Sequence, residues 1–192
     1  MLVLVHGRNA GPENILELAG PLAHPDFSFL APAAGGRTWY PESFLAARER
    51  NEPALSSALA RLHSLVGEIT ARGVPTSSIM FLGFSQGACL AAEYTIRHAS
   101  RFGGLVAWSG GLIGPPGTRW DYPGSFGGMP AFFGCSDHDP HVPEERVRDS
   151  AAHFERLGAR VTLRIYPGLG HQVNAEELEI ARRVMLEVAA GD

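Results

Sequence analysis

The chain contains no lysine: all 16 of its basic Lys/Arg residues are arginine. That absence excludes a Schiff-base or PLP lysine, a P-loop lysine, a kinase lysine and a Ser-x-x-Lys dyad. Its plain explanation is a genome that favours Arg codons. Cysteine is scarce too. Cys89 and Cys135 sit in the apolar settings Gly-Ala-Cys-Leu and Phe-Gly-Cys, too few for a disulfide framework. They read as buried free thiols in a reducing compartment, hence a cytoplasmic protein. Long hydrophobic runs are missing. Met1–Val5 is apolar for five residues only and meets His6-Gly7-Arg8-Asn9 at once. It is read as neither signal peptide nor membrane span, so no membrane insertion is expected. Positive charge is not in excess. A net charge of -4 gives no reason to expect nucleic acid as partner.

What is present is ample core material. The 192 residues are 45% hydrophobic and 19% charged, enough for a single domain over 1–192 and too apolar for disorder. Short apolar runs alternate with helical patterns. Strands are predicted at Leu2–His6, Phe27–Ala31, Ile79–Phe84, Gly104–Trp108, Ala131–Gly134 and Val161–Tyr166. Helices are predicted at Asn14–Ala23, Ala54–Ala71, Gln86–His98, Glu144–Leu157 and Ala175–Ala189. Pro143 suits the start of the fourth helix. Asn174 with Glu177 reads as a capping box opening the last. This alternation predicts an α/β fold, a mostly parallel sheet with helices on both faces. Two irregular stretches, Pro32–Ser43 and Gly110–Pro130, follow strands, where the loops of such a sheet build a site.

Gly83-Phe84-Ser85-Gln86-Gly87 is a G-x-S-x-G pattern between a predicted strand and a predicted helix. A serine on so sharp a turn takes a strained backbone that exposes its hydroxyl. The flanking glycines let strand and helix approach. By chance a chain of this composition holds the bare pattern about 0.2 times, so context and partners decide its meaning. A serine nucleophile needs a base, and the base an orienting carboxylate. In sheet hydrolases the chain order is serine, acid, histidine. Asp137 and Asp139 both follow the fifth strand. Of eight histidines, only His171 lies on a Gly-rich loop between the sixth strand and the last helix. Asp137, His138, Asp139 and His141 also invite a metal reading, but no further His or Cys cluster supports it, and no metal is expected.

On these residues the chain resembles the carboxylesterase/phospholipase family of α/β-hydrolases, which includes acyl-protein thioesterases and small bacterial carboxylesterases. The resemblance is carried by Val3-Leu4-Val5-His6-Gly7-Arg8, Trp39-Tyr40, Phe84-Ser85-Gln86-Gly87-Ala88, Ser109-Gly110-Gly111, Asp139-Pro140-His141-Val142-Pro143 and Tyr166-Pro167-Gly168-Leu169-Gly170-His171. It implies a minimal α/β-hydrolase fold of about six strands without a lid domain. It implies Ser85 as nucleophile, His171 as base and then acid, and Asp139, directly before proline, as the acid rather than Asp137. Backbone N–H groups of Arg8 and Gln86 would form the oxyanion hole. Trp39 and Tyr40 would wall the substrate pocket, and Leu112, just after Ser109-Gly110-Gly111, is read separately as further apolar wall. No cofactor is implied, and a homodimer is compatible with it.

The function read from this is a serine carboxylesterase for small, short-chain esters. One alternative is an acyl thioesterase or lysophospholipase, marked by a deep apolar groove under Gly110–Pro130. Another, of a different class, is a catalytically silent binding module. If the Arg8 and Arg37 side chains face the site, anionic or polar acyl groups should be preferred.

Overall fold

Strand residues alternate between two apolar environments, and that alternation builds two cores. The computed structural model describes residues 1–191. Its sheet holds six parallel strands: β1 (Leu2–Val5), β2 (Phe29–Leu30), β3 (Met80–Phe84), β4 (Gly104–Trp108), β5 (Pro130–Ser136) and β6 (Arg160–Tyr166). Their spatial order is β2-β1-β3-β4-β5-β6. Val3, Val5, Phe81, Leu105, Ala107 and Phe133 face one layer, made by α2 (Ala54–Ala71), α3 (Gln86–Arg97) and α4 (Glu144–Arg156). Leu2, Leu4, Leu82, Val106 and Trp108 face the other, made by α1 (Pro12–Leu18) and α5 (Ala175–Ala190). β1, β3, β4 and β5 are covered on both sides, which explains their continuous apolar runs.

The strand and helix order matches the pattern read from the sequence. The predicted first helix is cut short: α1 stops at Leu18, and Gly20–Leu22 continues as a 3-10 turn. Pro21 has no N–H with which to extend the α-helical ladder. The edge strand shrinks to Phe29–Leu30, which pairs on one side only. α5 opens with the expected capping box: Asn174 Oδ1 accepts from the Glu177 amide, and Glu177 Oε2 accepts from the Asn174 amide. No inserted domain covers the carboxyl ends of the strands among the described residues.

From β1 the chain crosses to β2 on one side. From β3 it crosses to β4 on the other. The sheet therefore reverses its winding between β1 and β3, and loops leaving their carboxyl ends diverge to open a crevice. The two loops that flank it carry Arg8 and Ser85.

Candidate active site

Ser85 occupies the turn between β3 and α3 with φ 55° and ψ −122°, a conformation rarely taken by a residue with a side chain. Its amide is tied to the Trp108 carbonyl at 2.9 Å and its carbonyl to the Cys89 amide at 3.0 Å. The flanking glycines are required by space. A Cβ on Gly83 would lie 2.5 Å from backbone atoms of Gly87 and Ala88. One on Gly87 would collide with the Val5 carbonyl oxygen. Strand β1 and helix α3 thus touch through backbone, and the serine sits at the carboxyl end of the interior strand β3.

The structure brings Ser85, His171 and Asp139 together. His171 Nε2 lies 2.9 Å from Ser85 Oγ, and His171 Nδ1 lies 2.7 Å from Asp139 Oδ2. An ionised carboxylate only accepts, so Nδ1 carries the hydrogen and Nε2 presents its lone pair to the hydroxyl. The Asp139 side chain is fully buried. Its other oxygen accepts from the amides of His141 at 2.8 Å and Val142 at 3.1 Å. Burial alone would raise its pKa. The His171 hydrogen bond and the two amides outweigh burial and hold it below the usual carboxylate value.

Asp137, the chemically equivalent neighbour, points elsewhere. It pairs with His138 at 2.7 Å and accepts from the Gly168 amide at 2.8 Å. Ser136 Oγ accepts from the Gly170 amide at 3.0 Å. Both residues thereby tether the loop that carries His171. This role is invisible to sequence reading, because the partners lie 31 and 34 positions away. Asp137, His138, Asp139 and His141 do not converge, and among the described residues no group of His, Cys, Asp and Glu is arranged to hold a metal.

Among the described residues, neither the Arg8 nor the Gln86 backbone N–H makes a turn, loop or cap hydrogen bond to the backbone. Gln86 is the first residue of α3, where helical amides lack intrahelical partners. The Gln86 side chain is an organiser that the motif alone does not reveal. Its Oε1 accepts from the Trp39 amide at 2.9 Å, and its Nε2 donates to the Tyr40 carbonyl at 2.8 Å. His6 is buried and neutral in character. Its Nε2 accepts from the Ala34 amide, which leaves Nδ1–H to donate to the Gly7 carbonyl at 2.8 Å. Burial lowers its pKa.

A cavity of about 540 Å³ opens at Ser85, with Arg8, Tyr40, Phe44, Cys89, Val142 and His171 among its walls. Two pocket expectations, Trp39 and Leu112, are corrected here, and the condition set for Arg37 is not met. Trp39 does not line it. Its indole N–H donates to the His6 carbonyl at 2.8 Å and its ring lies against His6, so it braces the Arg8 loop from behind. Leu112 is fully buried elsewhere, its amide on Ser150 Oγ at 2.9 Å and its carbonyl on the Arg146 guanidinium at 2.8 Å. Gly110 and Gly111 bring that chain hard against α3 and α4, which directs Leu112 into the core. Arg37 also stays away. It sits in a left-handed turn (φ 60°) and pairs with Glu13 of α1. Tyr40 lines the cavity as expected. Cys89 lines it as well, but burial pushes its thiol up to about 12, so it stays protonated and weakly nucleophilic.

A neighbouring cleft of about 650 Å³, with Ile15, Leu18, Pro21 and Leu178 among its walls, shares Gly7, Asn9, Ala10 and Phe84 with the first. No helix among the described residues is long and apolar enough to cross a membrane.

Comparison with known proteins adds an independent line. A profile of the phospholipase/carboxylesterase family matches residues 2–187. A solved phospholipase/carboxylesterase from Dyadobacter fermentans is 40% identical, superposes with a TM-score of 0.92, and is matched over 96% of this chain and 88% of that one. A probable carboxylesterase of Oryza sativa subsp. japonica is 28% identical over 93% of this chain and 84% of that protein. Acyl-protein thioesterase 1 of Gibberella zeae is 29% identical over 68% of this chain, and the match spans only 57% of the thioesterase.

Proposed function

The chain belongs to the phospholipase/carboxylesterase family of α/β-hydrolases and is a carboxylic ester hydrolase, and from that premise we propose a serine carboxylesterase working through an acyl-enzyme on small esters. The observation that carries this reading is the hydrogen-bonded chain Ser85–His171–Asp139, standing beside the Arg8 and Gln86 backbone N–H groups at one cavity.

Each residue then has a role. Ser85 Oγ attacks the ester carbonyl while His171 Nε2 takes its proton. Asp139 holds the imidazole in the required tautomer and stabilises its positive form. In this reading the oxyanion accepts from the Arg8 and Gln86 amides, two backbone donors that flank Ser85 at the cavity and would act there without a side chain having to move. The tetrahedral intermediate collapses, the C–O bond breaks, and the alcohol leaves with the proton from His171. Water, deprotonated by the same imidazole, attacks the acyl-serine and restores the enzyme.

Substrate size follows from the walls. No residue of the Gly110–Pro130 stretch lines the cavity. Leu112, Ile113, Trp120, Phe126 and Met129 are spent on the core. The groove that the long-acyl reading places under Gly110–Pro130 is therefore not part of this cavity, which supports the small-ester reading. One observation favours that second reading: the more apolar cleft between α1 and α5 meets the cavity at Phe84 and could take an extended chain.

Titration with a serine-directed fluorophosphonate tests the mechanism. Stoichiometric labelling that vanishes in Ser85→Ala is expected. No labelling, or labelling unchanged in that variant, overturns it. A series of p-nitrophenyl esters tests size: kcat/KM peaking at short acyl chains supports the small-ester reading, and a maximum at long chains replaces it with the second.

A further inference from the structure

We infer that the cavity is built for esters whose acyl part ends in a carboxylate, bound by the Arg8 side chain. This rests on the acyl-enzyme reading above and names its substrate class. Arg8 lines the cavity. Its guanidinium is held in place: Nη1 donates to the Pro41 carbonyl and Nη2 to the Glu42 carbonyl, each at 2.6 Å, and it lies 6.0 Å from the centre of the Tyr40 ring. Two carbonyls orient a guanidinium without neutralising it. No carboxylate of the described residues pairs with Arg8. The Glu42 carboxylate, on the same cavity, faces Arg50 at 3.5 Å, and Glu13 is taken by Arg37. The result is a preoriented, uncompensated cation with three of its five N–H donors still available, the geometry that receives a carboxylate.

The chemistry of the reaction sets which part of the ester meets it. The leaving alcohol takes its proton from His171, so it lies along the wall that His171 shares with Phe84 and His141. The acyl part takes the other wall, where Arg8 leans on residues 40–42. The oxyanion occupies the Arg8 backbone N–H, so the same residue would read both ends of a short dicarboxylic hemiester.

The test compares two alkyl esters of equal acyl length, monoethyl glutarate and ethyl pentanoate, by pH-stat. The readout is the ratio of their kcat/KM values, which cancels any general loss from altering the oxyanion loop. The wild-type ratio should favour the hemiester by about tenfold or more, as expected of a charge-assisted contact. It should fall with added salt, a measurement that needs no variant. It should drop towards one in Arg8→Met and recover in Arg8→Lys. Glutarate should also bind Ser85→Ala in calorimetry, and bind more weakly when Arg8→Met is added. A ratio that favours ethyl pentanoate, or one unchanged by Arg8→Met, overturns the inference. If fluorophosphonate labelling of Ser85 is intact in that case, the acyl-enzyme reading stands and only the substrate class fails. Absence of labelling overturns the reading itself.

Discussion

The turn that carries Ser85 and the loop that carries His171 meet at one hydrogen bond, yet they are held by different forces. Around Ser85 the constraint is steric: Gly83 and Gly87 sit where any side chain would strike backbone of β1 or α3. Around His171 it is polar. Gly168 and Gly170 have open space beside them and are glycine for conformation alone, with φ of 63° and 75°. That loop is fixed by Ser136 Oγ and Asp137 Oδ1 at one end and by the capping box of α5 at the other. The nucleophile proposed at Ser85, in a strained conformation, would need surroundings that cannot yield. The base proposed at His171 would need only a fixed direction, which hydrogen bonds supply.

The hardest blow to this contrast is one methyl group placed on each arm. Gly87→Ala drives a Cβ into the Val5 carbonyl, a backbone atom that cannot swing aside. A destabilisation above about 3 kcal/mol is expected, with loss of activity. Gly170→Ala meets nothing and bears only the left-handed penalty, about 1 kcal/mol. Urea unfolding of both variants checks the pair. Equal costs would remove the distinction between the arms.

A second test uses pH. Glu177 caps α5 from a fully buried position, and burial pushes its carboxyl from 4.5 up to about 7. The folded chain therefore holds a proton there that the unfolded chain has released, between pH 4.5 and about 7. Stability falls as pH rises through that window and levels off above it. The depressed Asp139 acts elsewhere, since its contribution is lost only as pH falls below its ordinary value of 3.8. Relative to Glu177→Gln, the wild type should lose about 2 kcal/mol between pH 5 and 7. Urea midpoints at pH 5, 6, 7 and 8 would read it. Parallel curves for the two proteins would show that the His171 arm carries no such titrating anchor.

The same contrast explains what was legible in the sequence. The strand–helix order and the Ser85 motif are local, because periodicity and glycine spacing follow from sterics over a few residues. Trp39 and Leu112 were misplaced because apolar character does not say which side of a loop a ring or a leucine will face. That was decided by His6 and Ser150, 33 and 38 positions away. Arg37 and Arg8 are equally exposed arginines by sequence. One found Glu13 and the other found carbonyls. The tethers at Ser136 and Asp137 gave no signal, because the short polar run that holds them looks like any turn.

Asp137 offers the finest test, because it separates holding the base from being part of the chemistry. Asp137→Ala removes the acceptor of the Gly168 amide and leaves the Ser136–Gly170 bond and the Asp139–His171 bond in place. Its position near the surface limits the stability cost to about 1 kcal/mol. With His171 as the proposed base, a loosened imidazole should still lower kcat about tenfold, since misplacement of such a group is felt steeply. Fluorophosphonate labelling of Ser85 should slow by a similar factor, because it needs the same base. If kcat and labelling both hold at the wild-type level, Asp139 alone orients His171, and the polar tethers serve only the fold. If they fall together while the urea midpoint barely moves, the loop's hydrogen bonds are part of how this site keeps its base aimed.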